Sequence, residues 1–130
     1  MQRGINMVYA DANVFLRFIL NDNKEMADYA ETLLNNHETF LLHEVIAEMV
    51  YVLSSVYNIK RIDISNVLSN LLIYVETDDK AVMLQALKNY SQTKLDFVDC
   101  ILLAYSMIQN IEIATFDKKL VNKIKAKHLL

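Results

Sequence analysis

Residues 7–16 read Met-Val-Tyr-Ala-Asp-Ala-Asn-Val-Phe-Leu, and the acid in the middle of that apolar run, Asp11, governs how the rest of the chain is read. Met7 to Ala12 is short and apolar and contains β-branched and aromatic residues, which predicts a strand. Asp11 then falls at the strand's end, where its apolar neighbours would embed the carboxylate at the rim of the core. A charge in such a place is costly without a partner, so one is expected elsewhere in the chain.

Three further segments have the same strand character: Thr39 to Leu42, Ile73 to Thr77 and Ile111 to Thr115. Helical periodicity lies between them. Lys24 to Asn35 places Met26, Ala30, Leu33 and Leu34 on one face, and Glu44 to Tyr57 does the same with Ile46, Met49, Val50, Leu53 and Val56. Ile64 to Leu72 follows Asp63 as an N-cap candidate, and Ala81 to Tyr90 follows Asp78 and Asp79. Phe97 to Gln109 and Lys118 to Lys127 complete the set. Strands joined by helical crossovers of this length predict a parallel sheet with helices on both faces, because antiparallel neighbours would be joined by short hairpins. The expected fold is therefore α/β in three layers, α/β/α, with four parallel strands and functional groups at their carboxyl ends.

The 130 residues suit one domain, with residues 1–6 as an extension ahead of Met7, itself an alternative start. The single glycine, Gly4, and the absence of proline leave no turn-rich linker, and neither a dinucleotide fingerprint nor a phosphate-cradling loop can be written. Although 54% of the residues are hydrophobic, no run reaches the roughly 18 uninterrupted apolar residues of a membrane span. The start also lacks the apolar block of a secretory signal, so a soluble, cytoplasmic protein without membrane contact is expected. Cys100, the only cysteine, excludes an internal disulfide and a cysteine-based zinc site.

The net charge of −3 argues against nucleic-acid binding through a broad basic face. Setting aside four of the 16 acids as cation ligands, however, leaves 12 acids against 13 bases, an almost neutral remainder. Those four are Asp11, Glu48, Asp99 and Asp117. Asp117 ends the last strand candidate as Asp11 ends the first, and the two ends are adjacent if the strands are neighbours. Glu48 lies opposite the apolar stripe of its helix, facing water or a cleft. Asp96 and Asp99 open the helix Phe97 to Gln109, where the macrodipole favours ionised carboxylates. Gathered carboxylates repel one another, and burial raises their pKa values, unless a divalent cation neutralises them. Magnesium or manganese would do so and would activate water for phosphodiester hydrolysis.

Each acid also has an ordinary reading. Asp96 with Asp99 can cap one helix and Asp117 another, and Glu48 can be solvated. His37, His43 and His128 show no zinc spacing, and Cys100, ahead of Ile101-Leu102-Leu103, reads as a small buried hydrophobe. Arg17, Lys94, Lys118 and Lys119 lie near the acids in sequence and read first as solvated charge, with phosphate contact as the alternative.

Four pieces in order resemble the PIN-domain family, and within it the VapC toxins of toxin-antitoxin pairs. Asp11-Ala12-Asn13-Val14-Phe15-Leu16-Arg17 is similar to the opening Asp-x-Asn motif, and Val45-Ile46-Ala47-Glu48 to the helix-borne glutamate. Asp96-Phe97-Val98-Asp99 is similar to the third-acid segment, with Asp96 accessory, and Thr115-Phe116-Asp117 to the fourth motif. The resemblance covers nearly the whole chain. It implies a Mg2+- or Mn2+-dependent endoribonuclease, the toxin of a type II pair, acting on RNA as a homodimer and held by a VapB-like antitoxin. It further implies that Asp11, Glu48, Asp99 and Asp117 hold metal and activate water while Asn13 and Thr115 position them. The chain ends at Leu130, short of the edge strand many members carry, so a fifth strand is an open question. Two other functions compete: a non-catalytic α/β module that binds a protein partner, and a phosphatase using Asp11 as nucleophile, against which Asn13 counts because such enzymes carry a second Asp there.

Overall fold

The computed structural model describes residues 6–129, so all but Asn6 of the expected N-terminal extension lies outside the described residues. Strand β1 (Met7–Tyr9) pairs in parallel with β2 (Glu38–Phe40), with Val8 opposite Thr39 and Tyr9 opposite Phe40. The facing Tyr9 and Phe40 rings stack with centroids 4.9 Å apart, a cross-strand pair that fixes the register. On the other edge of β2, the Leu41 amide donates to the Glu76 carbonyl at 2.8 Å and the Glu76 amide to the Thr39 carbonyl at 2.9 Å. This makes one parallel bridge, Phe40 to Glu76.

Among the described residues the sheet therefore has two strands, not the expected four or five. The third candidate, Ile73 to Thr77, loses its first two residues to a helix. Ile64, Leu68, Leu71 and Leu72 are buried at helical spacing and Val75 continues the stripe, so the 3.6-residue period prevails over the strand propensity of Ile73 and Tyr74. The fourth candidate, Ile111 to Thr115, lies in a connection without ladder pairing, in which Ile113 packs on the core while Ile111 stays exposed. Strand-like composition favours an extended backbone, but a ladder also needs a partner edge.

Helices supply most of the structure: α1 (Ala12–Leu20), α2 (Lys24–Asn36), α3 (His43–Ser55), α4 (Arg61–Tyr74), α5 (Lys80–Gln92), α6 (Phe97–Gln109) and α7 (Lys118–Lys125), then a 3-10 turn at Lys127–Leu129. The fold is mixed α/β with the helical part dominant. Helix α1 begins where a strand end was expected, because the Asp11 carboxylate accepts the Val14 amide at 3.2 Å and Ala12, Phe15 and Leu16 form a buried i, i+3, i+4 stripe. Helix α4 starts two residues before the expected cap: Lys60 is at the N-cap, and Asp63 sits in the first turn, where its charge complements the macrodipole. Asn21 (φ 50°) and Asn110 (φ 55°) close α1 and α6 in the left-handed conformation, asparagines in a place usually given to glycine.

Helices α3 to α6 carry most of the core, with Ile46, Met49, Leu53, Leu68, Leu72, Met83, Leu87 and Leu103 almost fully buried, and Phe15 and Leu120 close it from α1 and α7. No helix among the described residues is long and apolar enough to cross a membrane.

Candidate active site

The connection from α5 to α6 positions two of the candidate acids, and a buried polar network fixes its path. Asn89, fully buried in α5, donates from its side chain to the Cys100 carbonyl at 3.2 Å. The Thr93 hydroxyl donates to the Asn89 carbonyl at 2.8 Å and accepts the Leu95 amide at 3.3 Å. From the first turn of α4, Arg61 donates through Nε to the Tyr90 carbonyl at 2.7 Å and through Nη2 to the Leu95 carbonyl. Its guanidinium lies 3.6 Å from the centre of the Tyr90 ring, which meets Phe97 edge to face at 5.9 Å. Backbone groups that would otherwise be unpaired at the end of α5 are thereby satisfied, and the start of α6 is held in place.

Asp96 occupies the N-cap position of α6 but makes no side-chain capping bond, and Asp99 follows in the first turn. Asp99 is partly buried, and its carboxyl is pushed above the usual carboxylate range, first by burial and then by the negative charges of Asp117 and Asp96. The helix N-terminus favours the ionised form, so burial and two like charges together outweigh it. Asp117 is the N-cap of α7, its carboxylate accepting the Lys119 amide at 2.9 Å and the Leu120 amide at 3.3 Å. Thr115 accepts the Asp117 amide at 3.0 Å and so holds the turn that presents the acid.

The structure thus brings Asp117 and Asp96 each within electrostatic reach of Asp99, and it does not gather all four expected acids into one group. Among the described residues, no three His, Cys, Asp or Glu side chains stand close enough to hold one ion. Asp11 is exposed, not embedded as its apolar neighbours suggested: the N-cap geometry turns its carboxylate over the first turn of α1 while Ala12, Phe15 and Leu16 point inward. Asn13 is exposed beside it, and Glu48 is exposed on α3 opposite Ile46, Met49, Val50 and Leu53. Cys100 is fully buried, and burial pushes its thiol up to about 11, which leaves no thiolate for chemistry near neutral pH.

The donors that converge are carboxylates, which suit a hard cation. Magnesium is commonly held by one or two carboxylates, with water and substrate phosphate completing the octahedron, so a pair such as Asp99 and Asp117 fits in number as well as in kind. Like charges held together in a partly buried place also call for a counter-ion. Sequence reasoning missed Arg61, whose partners are backbone carbonyls 29 and 34 residues away. No side-chain pattern marks such a contact.

Comparison with curated proteins and with solved structures returns no match. A family model does match, over residues 8–126: that of the PIN domain, whose members are generally nucleases and generally use divalent metals. The match runs from β1 through α7 and takes in every acid discussed above, and on that span the chain belongs to the PIN-domain family.

Proposed function

We propose that this chain is a Mg2+- or Mn2+-dependent endoribonuclease. The observation that supports it most is the raised Asp99 carboxyl, kept beside Asp117 and Asp96 at the opening of α6. Two negative charges facing the partly buried Asp99 disfavour its ionised form, and a cation there would offset them. Asp99 and Asp117 hold the ion in this reading, with Asp11 and Glu48 completing the set that the resemblance implies. When bound, the ion would polarise a phosphodiester oxygen and lower the pKa of a coordinated water. Asp96 adds negative potential from the N-cap of α6. Thr115 fixes the Asp117 turn, and Asn13 lies two residues from Asp11 to orient what approaches it.

Four motifs in the family's order also support a toxin of a type II pair, working as a homodimer and held by a VapB-like antitoxin. Growth arrest on expression, relieved by co-expression of a neighbouring antitoxin gene, would test that part.

The nuclease itself is tested by cleavage of structured RNA by wild type, Asp11→Asn and Asp99→Asn, each with manganese or with EDTA. Cleavage by wild type with manganese alone is expected. Equal activity across all six conditions would remove both the metal and the acids from the reaction.

A further inference from the structure

A groove of about 710 Å³ runs between the α5–α6 connection and α7. Arg61, Lys94, Lys119 and Lys123 line it, and among the described residues no carboxylate does. In a chain with net charge −3 and 13 bases in all, four bases in one acid-free groove is a marked local concentration. Lys119 and Lys123 stand four residues apart on α7, where like charges destabilise a helix. Lys94 lies in the connection that Arg61 clamps. Arg61 itself is held by two carbonyl oxygens and a ring, all neutral.

The groove adjoins the acids. The amide of Lys119 bonds the Asp117 carboxylate, and Lys94 is two residues from Asp96. We propose that this groove carries the phosphate backbone of a single RNA strand into the acidic site, with Lys94, Lys119 and Lys123 as the phosphate contacts and Arg61 as the residue that positions the connection. The inference rests on the nuclease reading for its choice of ligand. Lys119 and Lys123 are separated by about 6 Å along the helix axis, a step suited to successive phosphates of an extended strand. The other lining residues are Ser91, Gln92, Thr93, Leu95 and Asn122, with the Thr93 hydroxyl engaged inside the fold, and no aromatic is among them. Such a set suits sugar-phosphate contact better than the apolar anchors of a peptide.

The test is fluorescence anisotropy with a short fluorescein-labelled oligouridine in EDTA, which stops metal-dependent cleavage and leaves electrostatic binding. The triple variant Lys94→Gln/Lys119→Gln/Lys123→Gln should bind about tenfold or more weakly near 0.1 M salt. The slope of log affinity against log salt should become shallower by about 2, for three contacts on a single strand. A control, Lys24→Gln/Lys80→Gln, removes charge outside the groove and should bind as wild type. Matching thermal transitions would verify that the triple variant is folded. Unchanged affinity and slope in the triple variant overturns the proposal. So does poly-glutamate that binds wild type as tightly as RNA and loses as much in the variant, since the groove would then belong to an acidic polypeptide. Loss of RNA binding in the variant, with no cleavage by wild type in manganese, would leave the groove standing and remove the nuclease. Metal-dependent cleavage with binding unaltered by the three substitutions would do the reverse.

Discussion

Replacing Arg61 should unfold this protein at a markedly lower temperature, although its hydrogen bonds go to backbone carbonyls and not to a candidate acid. Arg61→Met removes the hydrogen bonds to the Tyr90 and Leu95 carbonyls and the contact with the Tyr90 ring at 3.6 Å. Hydrogen bonds from a charged donor contribute about 1.5 kcal/mol each at the low end of their range, appropriate for a partly buried group. The ring contact contributes about 0.5 kcal/mol, so the loss is about 3.5 kcal/mol. With an unfolding entropy of about 2.1 cal/mol/K per residue over 130 residues, the midpoint should fall by about 13 °C. Arg61→Lys keeps the charge but has no planar fork to serve two carbonyls, so about half of that shift is expected. Differential scanning calorimetry measures both. A midpoint within about 3 °C of wild type for Arg61→Met would show that the clamp contributes little and that the connection is held by Asn89 and Thr93 alone. Below both transitions, Arg61→Lys should also bind RNA more weakly than wild type, because Lys94 rides on the same connection.

Other substitutions separate structure from function at single positions. Thr39 is buried and its hydroxyl has no hydrogen-bond partner among the described residues, so the isosteric Thr39→Val should stabilise the protein by about 1 kcal/mol, read as a rise in midpoint. Asp117→Ser should keep most of the capping of α7 while Asp117→Ala costs about 1 kcal/mol; both should abolish cleavage, and a serine variant that still cleaves RNA would reduce Asp117 to a cap. The Asp99 carboxyl is raised above its ordinary value of 3.8, so its stabilising contribution is full below that value and is lost as pH rises through the folded value. In EDTA, Asp99→Asn should therefore melt above wild type at neutral pH, and the difference should vanish under acid; equal midpoints at neutral pH would refute the repulsion. Cys100 should resist iodoacetamide in the folded protein and react once it is unfolded, as mass spectrometry would record.

Much of the helical part was readable because it is amphipathic. The bounds of α6 are those its apolar period implied, and α2, α3 and α5 fall within a few residues of expectation. Helix α1 is absent from the sequence reading for an instructive reason: Asp11 followed by buried positions 12, 15 and 16 is a capping pattern, but the apolar run Met7 to Ala12 gave Asp11 the appearance of a strand end. The two strands that pair, and their parallel sense, were legible in the apolar runs around Val8 and Thr39, but the sheet's small size was not, since Ile73 and Tyr74 follow a helical stripe and Ile111 to Thr115 finds no partner edge among the described residues. At the site, acids near helix openings announced Asp96, Asp99 and Asp117. The sequence carried no sign of the backbone contacts of Arg61.

The three-residue strands have a consequence for the proposed joint action of the acids. Asp96 and Asp99 stand on α6, whose Cys100, Leu103 and Ala104 are fully buried, and amides there should exchange hydrogen only on global unfolding. Asp11 stands just beyond β1, whose Met7 and Tyr9 are exposed, and that segment should open at much lower free energy. The α6 side of the proposed set should thus be the firmer and the β1 side, up to the Asp11 cap of α1, the more compliant. Bringing Asp11 toward Asp99 would order the compliant side, and the free energy of that ordering lowers the observed affinity for any ligand that needs both. A second ligand binding after the first would meet an already ordered site and bind more tightly, so metal and RNA should bind with positive cooperativity.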